Sequence, residues 1–311
     1  MICVVICTRE RPQMLHRLLF SCTKIDPDQR SKLSFIVVEN GEAAGALSVV
    51  NEFQTQLDIS YVNEKNLGIV NARNTAVEHF LASGAAWMAS FDDDEIVAPG
   101  WLTAMANAID SYPECRVFAG PQIRIPPKTA SIWFPQKVPK PMDTGTKNWN
   151  ASTANVLFQR SVFAKDGLQM RFDPGFNFSG GEDTQLFYRL KGLGVDILWV
   201  SDAKCTEPTI DARGTFRAKS DRIVIKAQNW GDIVRQRRGR TVGGLLVVWY
   251  LLASVLNVFS FTIIGIPVLI FSETKGIYVL SRALENAFQA IGYFKSLFLK
   301  SGEYYAQTDG N

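Results

Sequence analysis

Short continuous apolar runs alternate with helically spaced ones through the first two thirds of the chain, and a far longer apolar run follows. Ile2–Cys7 (ICVVIC) lacks polar alternation, as expected of a strand buried on both faces of a parallel sheet. Leu15, Leu18 and Leu19 fall on one face of a helix predicted over Met14–Cys22. Ser34–Val38 reads as a second strand, closed by the turn residues Glu39-Asn40-Gly41, and Ile59–Val62 as a weaker third. Val70, Ala72, Ala76, Val77 and Phe80 predict a helix over Ile69–Ser83, and Ala86–Phe91 a further strand. Pro99 suits the first turn of a helix over Trp101–Tyr112.

Past Val117–Gly120 the pattern loosens. Residues 121–150 carry Pro121, Pro126, Pro127, Pro135, Pro139 and Pro141, and so long a connection is expected to act as a lid or binding loop. Periodicity then returns with a strand over Thr153–Gln159, a helix over Gly181–Leu193, a strand over Val195–Val200 and a helix over Ala218–Ile233. Strands alternating with helices predict an α/β fold, a Rossmann-like, mostly parallel sheet flanked by helices. Such sheets bind ligands beyond the carboxyl ends of their strands, which is where Thr8-Arg9, Glu39-Asn40 and Asp92–Asp94 fall.

Residues 243–272 contain no charge and are long enough to cross a bilayer. As one straight helix they would extend roughly 45 Å against a hydrocarbon core of about 30 Å. They are therefore expected to form a tilted or kinked span, or two arms bent near Asn257 or Pro267; a buried core helix is the bland alternative. Residues Ile277–Leu299 are amphipathic, suited to the membrane interface or to packing on the rest of the protein. The expected division is a body over 1–215, a basic linker helix over 216–242, a transmembrane or re-entrant segment over 243–272 and an amphipathic segment over 273–311.

The net charge of +3 is modest, but Arg235, Arg237, Arg238 and Arg240 crowd the approach to the apolar run, which marks that side as cytoplasmic. Their position beside a span argues against a nucleic-acid partner. No secretory signal is read at the start of the sequence. The five cysteines form no metal pattern and are expected to be reduced thiols.

The chemistry concentrates in Asp92-Asp93-Asp94-Glu95, directly after the strand Ala86–Phe91. Carboxylates crowded there repel one another unless a cation sits among them, and Mg²⁺ binds through one or two carboxylates plus phosphate oxygens. Alternation puts Asp92 and Asp94 on one side, sharing the metal, with Asp93 directed at a ribose or sugar hydroxyl. A polar turn capping the next helix is the bland alternative. Glu182-Asp183 follows Gly180-Gly181, where slim backbone lets a substrate approach a carboxylate base. Thr8-Arg9-Glu10-Arg11-Pro12 and Asn66-Leu67-Gly68 with Arg73 offer donors for phosphate or base.

Together these residues resemble the inverting glycosyltransferases of family two, which have the GT-A fold. The matching segments are Cys7–Pro12, Val37–Asn40, Asn66–Gly68 with Ala72-Arg73-Asn74, Phe91–Asp94 with Pro99–Leu102, Thr153–Val156, and Phe172-Asp173 leading to Gly180–Asp183, covering roughly residues 1 to 240. Glu207-Pro208 and Arg213, before the apolar run, resemble the bacterial exopolysaccharide branch of that family. The resemblance implies that residues 1–215 are a GT-A catalytic domain. It implies Thr8, Arg9 and Glu39 around the nucleotide, with Arg73 and Asn66 nearby, and Asp92 and Asp94 holding Mg²⁺ or Mn²⁺. Asp93, Asn155 and Glu182 would contact substrate, and Asp183 would be the catalytic base.

Two departures stand out. Where many relatives carry a metal-binding histidine, this sequence reads Lys204-Cys205-Thr206-Glu207, leaving Glu207 as a stand-in ligand. Residues Gln236–Arg240 do not match the Gln-x-x-Arg-Trp motif of processive relatives, which implies a single sugar added per acceptor. The expected activity is transfer from a nucleotide-sugar donor, a UDP-sugar such as UDP-glucose, to a lipid-linked saccharide acceptor at the cytoplasmic side of the inner membrane. Nucleotidyl transfer to sugar phosphates and a non-catalytic membrane scaffold are the alternatives.

Overall fold

The computed structural model describes residues 1–42, 45–127, 130–135, 140–149 and 151–299. The chain forms two compact units, one from Met1–Ile125 with Lys140–Pro208 and the other from Pro126–Pro139 with Thr209–Tyr304.

The first unit contains β1 (Ile2–Thr8), α1 (Pro12–Cys22), α2 (Pro27–Arg30), β2 (Leu33–Asn40), α3 (Ala46–Phe53), β3 (Ile59–Glu64) and α4 (Ile69–Ala82). It continues with β4 (Trp87–Asp92), β5 (Ile96–Val97), α5 (Trp101–Ser111), β6 (Val117–Ala119), β7 (Gln122–Ile125), β8 (Asn155–Gln159), α6 (Glu182–Gly192), β9 (Ile197–Trp199) and β10 (Cys205–Pro208). Seven strands form one sheet in the order β3-β2-β1-β4-β8-β6-β9, and β5-β10-β7 form a small second sheet. Strands β3, β2, β1 and β4 are parallel, whereas β8 runs antiparallel to both neighbours, so the main sheet is mixed. The chain steps outward from β1 through β2 to β3, then returns to place β4 on the other side of β1. That reversal makes the β1–β4 boundary a topological switch point, where sheets of this kind leave a crevice at the strands' carboxyl ends.

Burial explains the order. Val4, Ile6, Phe35, Val37 and Ala89 on the central strands are all buried, and Leu15, Leu18, Leu19, Val50, Trp101 and Met105 of the flanking helices cover them. Pro12 opens α1 at its first turn, where a missing N–H costs nothing. Helix α3 was not anticipated, although the residues it buries, Ala46, Val49, Val50 and Phe53, fall at the i, i+3, i+4, i+7 spacing of an amphipathic helix.

Part of the expected lid is sheet edge instead. Gly145 donates to the Trp199 carbonyl (2.8 Å), Trp199 donates to Thr146 (2.8 Å) and Asn148 donates to Ile197 (2.9 Å), so this stretch covers the open side of β9. Another part of it, Gln122–Ile125, is strand β7.

The second unit contains α7 (Asp211–Gly214), α8 (Phe216–Arg238), α9 (Arg240–Phe271) and α10 (Glu273–Phe298). Thr215 caps α8, its Oγ1 accepting from Ala218 N–H at 3.3 Å. The apolar run is one continuous helix with Pro267 inside it, and the chain turns at Ser272 rather than at Asn257 or Pro267. Phe134, Phe216 and Phe288 pack together with ring centroids 5.2 to 6.3 Å apart.

Candidate active site

Sheet register assembles the site. Thr8 pairs with Glu39 across β1–β2, and Cys7 pairs with Asp92 across β1–β4, so three strand ends stand side by side. Asp92 is the last residue of β4, and half of its carboxylate is exposed. Burial in the crevice, together with Asp94, Asp93 and Asp183, pushes its pKa up to about 6 against the lowering pull of Arg73.

Arg73 comes from the first turns of α4. Its Nη2 lies 3.2 Å from Asp92 Oδ1, and its Nη1 pairs with Glu182 Oε1. Burial alone would lower the guanidinium's pKa, but Glu182 and Asp92 outweigh it and raise the value. Its flat face lies over the Phe172 ring, 5.7 Å from the centroid. The structure thus brings the acidic run and the distant Glu182-Asp183 pair together through one cation. Arg73 was expected beside the nucleotide base; here it is the link between carboxylates.

Gly180 and Gly181 both adopt positive φ (73° and 85°), a conformation that side chains with a Cβ rarely take, and they launch α6 at Glu182. Glu182 is buried, its carboxyl pKa is raised by that burial and by Asp183, and its Oε2 has no hydrogen-bond partner among the described residues. Asp183 beside it is partly exposed. Its Oδ1 accepts from Thr184 N–H (2.6 Å) and the Thr184 hydroxyl (3.2 Å), which fixes its rotamer while leaving Oδ2 without a hydrogen bond among the described residues.

Other sequence-predicted residues have structural partners. Asp93 is held by protein partners: its Oδ2 accepts from Thr8 Oγ1 (2.7 Å) and its Oδ1 pairs with Arg11 Nη1 (3.2 Å). Glu39 accepts from Tyr61 Oη (2.6 Å) and from Ala46 N–H (3.2 Å), anchoring β3 and α3; Tyr61 is pushed up to about 12 by burial and by this carboxylate. Asn155, expected to touch substrate, is a buried strut. Its Oδ1 accepts from Trp101 Nε1 (2.8 Å), and its Nδ2 donates to Ala203 (2.8 Å) and Pro121 (3.1 Å) carbonyls, filling both donor positions. Arg9 lies 3.9 Å from Glu10, and Asn66 is exposed, its carbonyl accepting from Asn40 Nδ2 at 2.8 Å.

Glu207 is not free to replace the absent histidine: its buried carboxylate accepts from Arg124 Nε (2.8 Å) and Gln122 Nε2 (3.0 Å). Gln122 also donates to Glu95, the last member of the acidic run, whose pKa burial pushes up to about 9. Among the described residues no three His, Cys, Asp or Glu side chains gather into a metal cage. Asp92 and Asp94 nevertheless suit a hard divalent ion that draws its remaining ligands from phosphate and water, because burial and then the neighbouring carboxylates oppose Asp92's ionisation, and a cation beyond Arg73 would offset both.

Sequence reading missed the asparagines that hold α4. Asn177 Oδ1 accepts from Val70 N–H (3.0 Å) and Asn71 N–H (3.2 Å), while its Nδ2 donates to the Leu67 carbonyl (2.9 Å). Asn74 and Phe172 exchange two bonds, at 3.0 and 2.9 Å, and Asn40 Oδ1 accepts from Gly68 N–H (2.8 Å). Gly68 is required at this junction: its φ is +124°, and a Cβ there would stand 2.1 Å from Asn177 Nδ2. The only hint in the sequence was asparagine itself, a frequent capping residue with no local helix to cap.

Comparison with known proteins follows the same outline. The family model described as Glycosyl transferase family 2 matches residues 3–173. The chain is 26% identical over 237 residues to the succinoglycan biosynthesis protein ExoM of Rhizobium meliloti (strain 1021), across 75% of this chain and 74% of that one. Its fold is similar to that of S. aureus TarS 1-349 in complex with UDP-GlcNAc, with a TM-score of 0.56 and 15% identity over 75% of this chain and 66% of that one. It is also similar to the mannosyltransferase PcManGT from Pyrobaculum calidifontis in complex with GDP-Man and Mn²⁺, with a TM-score of 0.61 and 16% identity over 96% of this chain and 87% of that one. The shared fold is GT-A.

Proposed function

This chain belongs to glycosyl transferase family 2, and from that premise we propose that it moves one sugar, with inversion, from a nucleotide diphosphate donor to a lipid-linked saccharide. The observation carrying this reading is Arg73, which holds Asp92 at the end of β4 beside Glu182 at the start of α6. This pairing supports a reading in which a donor-binding carboxylate and a base share one crevice.

In the proposed reaction Asp183 accepts the proton of an acceptor hydroxyl. The freed oxygen forms a bond to the anomeric carbon as the bond from that carbon to the diphosphate oxygen breaks. One displacement with no carboxylate nucleophile inverts the anomeric centre. Asp92 and Asp94 are the residues that would hold Mg²⁺ or Mn²⁺, which would supply positive charge to offset that of the diphosphate. Arg9 and the backbone after Thr8 receive the nucleotide. Thr8 with Asp93 and Glu39 with Tyr61 keep the walls of that site in place. Glu182 keeps Arg73 from drifting and shapes the pocket beside the base.

ExoM is a succinoglycan biosynthesis protein, which supports bacterial exopolysaccharide assembly as the setting. The exposed apolar helix α9, which begins at Arg240 and is preceded by Arg235, Arg237 and Arg238, supports anchoring in the inner membrane with these arginines on the cytoplasmic side. An acceptor confined to the same surface then meets the enzyme at a raised effective concentration.

The test is to incubate membranes containing the full chain with labelled UDP-glucose, UDP-GlcNAc or GDP-mannose and native lipid extract. Label is expected to move into lipid with release of nucleoside diphosphate. Pyrophosphate as the product would replace this reading with nucleotidyl transfer. No transfer and no metal-dependent donor hydrolysis by any sugar nucleotide would leave a non-catalytic scaffold.

A further inference from the structure

Helices α9 and α10 pack against each other from end to end. At the turn, a Cβ on Gly276 would stand 2.3 Å from Leu269 Cα; one turn of α9 earlier, a Cβ on Gly265 would stand 2.7 Å from Leu280 Cδ2. Midway, Asn257 Nδ2 donates to Asn286 Oδ1 at 3.1 Å, and further down the Tyr250 and Tyr293 rings lie 5.6 Å apart. As α9 numbers fall, their α10 partners rise, so the helices form an antiparallel hairpin turning at Ser272. Glycines at the contact let the backbones approach closely, as in membrane helix pairs.

Helix α8 closes the open end. Arg235 donates to the Ser296 carbonyl, and a Cβ on Gly231 would meet Ser296 Oγ at 2.2 Å. A Cβ on Gly292 would stand 2.3 Å from the Val224 carbonyl oxygen, and one on Gly243 would stand 2.6 Å from Arg235 Cα. The last described residue, Leu299, is therefore at the same end as Arg240.

Polarity sorts along this hairpin. Its closed end carries Glu273, Thr274 and Lys275, and its open end carries the arginine cluster and Lys295. Between them Leu245, Trp249, Leu252, Leu256, Phe259 and Ile263 are 56% to 71% exposed, an apolar surface that water does not tolerate as a continuous patch. The charges midway along α10 are paired, Arg282 Nη1 lying 3.1 Å from Glu285 Oε2, and the mid-depth amides satisfy each other.

Resting on the membrane reading of α9, we infer that α9 and α10 cross the bilayer together as a helical hairpin whose apolar flank is covered by lipid hydrocarbon. The arginines meet anionic headgroups on one face, the end of α10 at Leu299 returns to that face, and Glu273–Lys275 emerge on the other. The 32 residues of α9 extend about 48 Å, enough to carry the turn past a hydrocarbon core of about 30 Å.

The test uses the full chain with N- and C-terminal epitope tags in sealed inside-out and right-side-out vesicles. Resistance to alkaline carbonate extraction is scored first, and a chain released by carbonate sinks the membrane reading and the hairpin with it. Protease is then expected to remove both tags in the inside-out vesicles and neither in the right-side-out ones. A C-terminal tag cut only in right-side-out vesicles means a single span; it overturns the hairpin and leaves the membrane anchor standing. In the Thr274→Cys variant, a membrane-impermeant maleimide is expected to add label over the unsubstituted chain only in right-side-out vesicles. Added label only from the face that exposes the tags would overturn the crossing.

Discussion

Asn177 accepts a hydrogen bond from the backbone N–H of Val70 at 3.0 Å and so caps helix α4 from a loop 107 residues away in sequence. The helix's own N-cap, Gly68, has no side chain to do this. The cap therefore belongs to the tertiary structure, and it fixes the start of the helix that carries Arg73 to the segment that leads into Glu182-Asp183. Asn177→Ala is expected to lower stability by about 1–2 kcal/mol, the usual cost of a lost cap, and to lower kcat/KM beyond the loss of folded enzyme. Urea denaturation with kinetics on the folded fraction would check both, and unchanged kinetics would reduce Asn177 to a purely structural cap.

Arg73→Ala removes the one cation shared by Asp92 and Glu182. With Glu182 buried and one of its oxygens already unpartnered, the loss is expected to cost about 3 kcal/mol, at the lower end for a broken buried ion pair because Asp92 is half-exposed. Adding Glu182→Gln should recover part of the stability by removing the orphaned charge. A double-mutant cycle measured by chemical denaturation decides this, and strict additivity would sink the pairing.

Asp183→Asn keeps the shape of the side chain but cannot take a proton. A fall in kcat of about 10²–10⁴-fold is expected, the range for a lost general base, with donor binding by calorimetry nearly unchanged. Asp94→Ala should instead weaken donor binding in the presence of Mg²⁺ or Mn²⁺ and have little effect on nucleotide binding without metal.

Asn155→Ala separates a strut from a substrate contact. It leaves the buried Trp101 Nε1–H without its acceptor and the Ala203 carbonyl without this donor, while the Pro121 carbonyl keeps the Cys205 N–H at 3.0 Å, at an expected cost of about 1–3 kcal/mol. Donor affinity of the folded variant should match the parent, and a tenfold loss in calorimetry would restore Asn155 to the binding site.

Cys22 is buried in the core, and burial pushes its thiol up to about 12 from an ordinary value of 9.0. Because the folded-state pKa is the higher one, this thiol's contribution to stability is present in full below about pH 9 and is lost as pH rises from 9 towards 12. Thermal unfolding followed across that window should show the parent falling faster than Cys22→Ala. Parallel curves would remove the thiol from the alkaline sensitivity.

Burial and period made most of the catalytic unit legible. Ile2–Thr8, Leu33–Asn40 and Trp87–Asp92 appear within a residue or two of their apolar runs, and sheet register then brings Thr8, Glu39 and Asp92 to one edge. Side-chain partners were not legible, because alternation specifies a face and not a contact. Asp93 was expected to face a ligand, and nothing in its spacing announced the Thr8 hydroxyl and Arg11 as its partners. Asn155 sits in a motif and still makes only structural bonds. The antiparallel setting of β8 was hidden as well, since a strand buried on both faces reads alike in either direction. The hairpin of α9 and α10 escaped for a related reason: glycines at 265 and 276 look like weak helix formers until the partner helix occupies the space they leave.

The Arg73 bridge also has a consequence for synthesis. A growing chain makes Asp92 soon after Arg73, but the ribosome must add a further stretch before Glu182 arrives. Until then the guanidinium has half of its counter-charge, and α4 lacks the Asn177 cap. A nascent chain stalled short of residue 177 would carry the acidic strand end without the clamp that orders it, so the crevice matures only as α6 emerges.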